Sequence, residues 1–118
     1  MAKGKKTGEV KIYGDIYSFG YNSGASFIER FEDARKGADE INVHLHTDGG
    51  DVIEGTLIYN HIKSCDIPVN VYIDGVCCSM GTVVMMAAKR VYMCENSYLM
   101  VHAPQGGCYG TASAMVGG

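Results

Sequence analysis

Ile41-Asn42-Val43-His44-Leu45-His46 alternates without a break, so Ile41, Val43 and Leu45 share one face of a strand and Asn42, His44 and His46 the other. Glu9 to Tyr13 alternates more weakly and stops at Gly14, which predicts a short strand, a turn and a loop from Tyr17 to Ser23. Phe27, Ile28, Phe31 and Ala34 then recur at helical spacing. They predict a helix from about Ala25 to Arg35 that ends near Gly37, with Ser26-Phe27-Ile28-Glu29 as its capping box. Val52, Ile53, Leu57, Ile58 and Ile62 give a second helix, Val52 to Lys63, with Asp51 as N-cap. Pro68 opens the apolar run Val69–Ile73, and Thr82–Ala88 reads as a third helix. Val91–Cys94 and Tyr98–His102 read as strands around the turn Glu95-Asn96-Ser97. Strand and helix alternate, so the fold class is α/β with a mostly parallel sheet, without internal repeat or low-complexity linker.

Three strand ends carry residues suited to chemistry. The run Gly75-Val76-Cys77-Cys78-Ser79-Met80-Gly81 places a serine where a strand turns into a helix. Such a turn exposes the hydroxyl and brings backbone N–H groups close to developing negative charge, the logic of a nucleophile elbow. Gly49-Gly50 ends the preceding strand and His102 a later one. In a layered α/β fold these ends converge on one crevice, where a serine near a neutral histidine is an activated nucleophile. Gly50 and Met80 would each offer a backbone N–H to an oxyanion. Taken singly, Ser79 also fits a helix cap, Gly49-Gly50 a tight turn and His102 a core histidine. The conjunction carries the chemical reading.

Composition narrows the field. The 118 residues suit one domain, and 47% apolar with 19% charged residues is a globular balance. A net charge of -3, with no basic run beyond Lys3-Gly4-Lys5-Lys6, argues against nucleic acid as a partner. No stretch is apolar enough to span a bilayer, and Met1 is followed by polar residues rather than a signal core. The five cysteines are odd in number and form no C-x-x-C pair, as expected of a reduced, cytoplasmic protein. His44 and His46 lack a third ligand at telling spacing, so no metal is expected, and no cofactor. Residues 1–8 read as a flexible tail and 9–118 as the domain.

Thr47-Asp48-Gly49-Gly50-Asp51-Val52-Ile53-Glu54-Gly55 with Ile58-Tyr59, then Gly75 to Gly81, then Met100-Val101-His102-Ala103-Pro104-Gln105-Gly106-Gly107 with Gly110, together resemble the Clp protease proteolytic subunit (ClpP) family. The resemblance runs from about Val10 to the C-terminus. It implies a ClpP/crotonase-like layered fold, with repeated β-α units around the sheet. It implies Ser79 as nucleophile, His102 as general base, and Gly50 and Met80 as oxyanion donors. Substrate would bind at Gly49 and as an added strand along Gln105-Gly106-Gly107. It further implies homo-oligomeric rings acting on peptide or protein substrates. Tyr13-Gly14-Asp15-Ile16 and the Asp51–Gly55 segment resemble the phage branch, whose members process capsid proteins during head maturation.

The chain departs from the family pattern in three places. Asp48 stands where the family usually has proline, and Cys77-Cys78 where it has small apolar residues. The family's triad aspartate follows a long ring-joining helix, which Thr111-Ala112-Ser113-Ala114-Met115 resembles at its start. Asp48, Asp51, Asp66 and Asp74 do not match that position, so this chain is expected to be a fragment with little peptidase activity. No G-x-x-x-x-G-K-[ST] loop occurs, so any ATP would be used by a partner unfoldase. Competing readings are a Cys78 nucleophile, a Ser-Lys pair with Lys89 as base, a crotonase-type acyl-CoA enzyme, and an inactive ring-building or capsid-associated subunit.

Overall fold

The computed structural model describes residues 4–103 and 106–111, with side chains from residue 4 to residue 100. In chain order the elements are β1 (Thr7–Tyr13), α1 (Gly24–Arg35), β2 (Glu40–Thr47), α2 (Val52–Lys63), β3 (Val69–Cys78), α3 (Met80–Met85), β4 (Arg90–Met93), β5 (Tyr98–Ala103) and β6 (Gly106–Thr111). The sheet runs β1-β2-β3-β5-β6, with β4 also on β3. Every pairing is parallel except β5 with β6. The α/β class and the mostly parallel sheet therefore hold.

Alternation explains how the layers meet. Val10 and Ile12 of β1, Ile41, Val43 and Leu45 of β2, and Val71 and Ile73 of β3 point one way into the core. Phe27 and Phe31 of α1, Ile58 and Ile62 of α2 and Val84 of α3 meet them. Each large side chain removed from water contributes about 2 kcal/mol, so burial rather than helix propensity holds these short helices in place. The other face carries Glu9, Tyr13, His44, Tyr72 and Asp74. There the His44 ring stacks on Tyr72 and Tyr72 on Tyr92, with centroids 5.2 and 4.9 Å apart.

Four expectations about element ends change. The cap of α1 is Ser23, not Ser26: the Ser23 hydroxyl accepts the Ser26 N–H at 3.1 Å. The third helix covers Met80–Met85 rather than Thr82–Ala88, because it starts at once after Ser79. Thr111 closes β6 rather than opening a helix, and residues 112–115 lie outside the described residues. β1 begins at Thr7, two residues before the alternation becomes visible.

The strand that leads to the elbow is interrupted. Val69 to Ile73 of β3 pairs with β2 in register, but the next pair is Thr47 with Cys77, so β3 bulges over Asp74-Gly75-Val76. The His46 ring lies where a Gly75 side chain would stand and accepts the Val76 N–H at 3.1 Å. On its other edge β3 pairs with β4 through Asn70–Ile73 and with β5 through Val76–Cys78. Bulges re-aim a strand, and this one sits just before Ser79.

Candidate active site

Ser79 stands between β3 and α3 with φ 51° and ψ -119°. A serine at positive φ is strained by on the order of 1–3 kcal/mol, and packing must hold it there. Its hydroxyl makes no capping bond and the residue is exposed. The Ser79 N–H donates to the Met100 carbonyl of β5 at 3.2 Å, while Thr82 N–H and Oγ1 donate to the Ser79 carbonyl at 3.0 and 2.6 Å. The backbone is thus pinned on both sides, and among the described residues the hydroxyl has no hydrogen-bond partner.

The glycine loop closes on this elbow. Gly49 has φ +104°, and a Cβ there would lie 2.8 Å from Ser79 Cβ, 2.9 Å from the Cys78 carbonyl and 3.0 Å from Met80 N. Only glycine permits that approach. Gly50, at φ +141°, forms a parallel bridge with Ile16: Ile16 N–H donates to the Gly49 carbonyl at 2.8 Å and Asp51 N–H to the Ile16 carbonyl at 2.9 Å. Neither bond uses the Gly50 N–H. Met80 is the first residue of α3, so its N–H has no intrahelical acceptor. Its side chain is 6% exposed and fills the space above Gly55 of α2, which anchors the start of α3. With six residues, α3 supplies individual N–H groups more than a helix dipole.

Two contributors escaped the sequence reading. Thr47 is 1% exposed, and its Oγ1 accepts the Gly49 N–H at 3.0 Å. Ile16 is the backbone clamp on the far side of the loop. Its signal was one aliphatic residue in a loop otherwise made of aromatic, polar and glycine residues. Thr47 stood just past the strand read from Ile41 to His46, at the start of the glycine turn.

The backbone of β5 and β6 carries the other candidates. His102 lies on β5, two residues beyond the Met100 that receives the elbow's N–H, and its backbone is opposite Gly107 of β6. Gly106 and Gly107 open β6, antiparallel to β5. The His102 side chain and Gln105 lie outside what is described. Lys89 is not near Ser79. Its N–H donates to the Val69 carbonyl, at the opposite end of the ten-residue β3, so roughly 30 Å of strand separates them. That removes the Ser-Lys pair.

Burial and the nearby Asp48 carboxylate push the Cys78 thiol up, and burial pushes Cys77 up to about 12. Both thiols are held neutral, which disfavours a cysteine nucleophile beside Ser79. Asp51 caps α2 through the Glu54 N–H at 2.9 Å, and Asp66 pairs with Arg35.

Asp74 faces away from the crevice, accepting from Tyr13, from His44 at 3.0 Å and from Cys94 at 3.5 Å. His44 Nε2 meets Glu9 at 2.6 Å. Partial burial works against a charged His44 ring, but the Glu9 and Asp74 carboxylates outweigh it and hold its pKa above the ordinary 6.5. Among the described residues no cluster of three His, Cys, Asp or Glu is placed to hold a metal, and no helix is long and apolar enough to cross a membrane.

Residues 8–116 match the Clp protease family. A mutant of ClpP1 from Listeria monocytogenes is similar at a TM-score of 0.72 and 25% identity, over 83% of this chain and 57% of that one. ClpP1 from the same organism gives 0.72 at 24%, over 81% and 56%. A mutant of the membrane-bound stomatin-specific protease 1510-N gives 0.71 at 21%, over 86% and 50%. The last two likenesses speak to the fold alone. The chain spans 50% to 57% of the length of these structures. The family match runs almost from end to end, and the chain belongs to the Clp protease family.

Proposed function

We propose that the protein is a ClpP-like serine endopeptidase in which Ser79 is the nucleophile. The observation that carries this is the Ser79 backbone: a strained serine at a strand-to-helix turn, its hydroxyl unused in capping, with Gly49 packed against it. Ser79 Oγ attacks the scissile carbonyl carbon while the His102 imidazole takes the hydroxyl proton. The carbonyl oxygen becomes an oxyanion and receives the Gly50 and Met80 N–H groups, each such donor contributing about 3 kcal/mol in the transition state. The intermediate collapses, the imidazolium gives its proton to the leaving amine, and water releases the acyl group by the same route in reverse.

Substrate lies as an extended strand along Gly49 and the Gln105-Gly106-Gly107 segment, where β6 is the last strand of the sheet. Polypeptide is thus the substrate class. The finer proposals are homo-oligomeric rings, capsid-protein processing as in the phage branch, and a partner unfoldase as the source of any ATP use. The phage reading rests on Tyr13-Gly14-Asp15-Ile16 and the Asp51–Gly55 segment, which are the two sides of the Ile16 clamp.

A fluorophosphonate probe read by intact mass tests the chemistry. One adduct is expected on this chain and none on Ser79→Ala. Absence of an adduct on both proteins would sink the peptidase reading.

A further inference from the structure

We propose that Thr47 is a positioning residue for the oxyanion site: its hydroxyl holds the Gly49-Gly50 peptide in fixed geometry against Ser79 and Met80, while its methyl packs against the first turn of α3. This rests on the serine-peptidase reading. Thr47 ends β2 and is almost wholly buried, so its hydroxyl has no water to bond. Oγ1 accepts the Gly49 N–H at 3.0 Å and has the Gly49 carbonyl 3.5 Å away. The bond closes a local turn that sets the direction of Gly49. Gly49 in turn packs on Ser79 Cβ and faces Met80 N.

The methyl reaches the other half of the site. Thr47 Cγ2 lies 2.7 Å from where a Gly81 Cβ would stand, so the first turn of α3 rests on Thr47. The Thr47 backbone pairs with Cys77, two residues before the nucleophile. One side chain therefore touches both segments that carry the oxyanion donors. Ile16 holds the outer side of the glycine loop through two backbone bonds. Thr47 holds the inner side, where nothing else in the described structure bonds the Gly49 N–H. Pre-set donors stabilise a developing charge because they need not reorganise during reaction.

Thr47→Val keeps the shape and deletes the hydroxyl, whereas Thr47→Ser keeps the hydroxyl and deletes the methyl. The measurement is the kinetics of fluorophosphonate labelling at Ser79, separated into the affinity of the reversible complex and the first-order step. Thr47→Val is expected to slow the first-order step at least about tenfold with affinity within about twofold, as for a partly misplaced oxyanion donor. Thr47→Ser is expected to stay within about threefold of the parent rate.

A wild-type rate for Thr47→Val overturns the proposal, as does equal slowing in both variants. If Thr47→Val does not fold, Thr47→Ser decides alone: a parent-like rate supports the hydroxyl's role and a loss beyond about tenfold overturns it. Failure of the parent chain to label at Ser79 overturns the peptidase reading itself, and the proposal with it.

Discussion

Two serines stand at the N-termini of helices, and they do opposite things. Ser23 before α1 has φ -73° and ψ 159°, and its hydroxyl accepts the Ser26 N–H. Ser79 before α3 has φ 51° and ψ -119°, and its hydroxyl accepts nothing from the helix. Ser23 lowers the free energy of the fold by satisfying an orphan donor. Ser79 raises it by holding a disfavoured conformation. A cap is recognised by relaxed backbone and a used oxygen, a reactive serine by the reverse.

The largest effect that separates them is chemical. Ser79→Ala should abolish labelling and turnover, on the order of a million-fold in kcat as for nucleophile loss in subtilisin, with little change in Tm. Ser23→Ala should leave the labelling rate of folded protein unchanged and cost about 1 kcal/mol of stability. Chemical denaturation beside labelling kinetics reads both. A loss of labelling in Ser23→Ala at unchanged fold would break the contrast.

Next in size is a contrast between glycines. Gly49→Ala places a methyl within 2.8 Å of Ser79 Cβ and 2.9 Å of the Cys78 carbonyl, with φ already at +104°. Labelling should fall about a hundredfold or more, comparable to losing an oxyanion donor. Gly37 also has positive φ, +70°, but an added Cβ meets nothing within 4 Å. Gly37→Ala should cost only about 1 kcal/mol and leave the chemistry alone. Equal labelling in both variants would show that Gly49 is merely a turn residue.

The smallest effect lies on the face away from the site. His44 has a raised pKa, so its pairing with Glu9 and Asp74 stabilises fully below 6.5 and fades as pH climbs through the raised folded value. For Asp74, burial raises its pKa, but the bonds from Tyr13 and His44 outweigh this and leave it below the ordinary 3.8. Its contribution is present above 3.8 and is lost as pH falls through the lower folded value. The network is therefore strongest between these limits. The urea midpoint should decline from pH 5.5 to pH 8.5, and less so in His44→Gln. Labelling per folded molecule should not follow that decline, which keeps this face apart from Ser79.

How much of this could be read from the residues depends on whether the signal was local. α2 was legible to both ends because Asp51 caps it and its apolar positions repeat through Ile62. Ser26-x-x-Glu29 imitated a capping box one turn late. Ser26 is in fact the residue whose N–H Ser23 receives. β3 was legible only to Ile73, because Asp74-Gly75-Val76 bulges and the alternation breaks there. Ser79 and Gly49-Gly50 could be found as turn residues at strand ends. The Thr47 hydroxyl bond and the Ile16 bridge could not, since each depends on backbone that another segment brings alongside. Lys89 was plausible on paper, and the parallel pairing of β3 with β4 carries it to the wrong end of the strand.

Asp74 and Gly75 have no ladder partner on either edge of β3, since the β2, β4 and β5 pairings all skip them. The strand is thus two strands laid end to end. Its first half, Val69–Ile73, is locked between β2 and β4 and belongs to the load-carrying interior. Its second half, Val76–Cys78, is a short arm fixed by one pair on the β2 side and three on the β5 side. Shape at Ser79 and cohesion of the core are set by different pieces of one segment. Variation in the arm can alter how the serine is presented while the interior stays as it was.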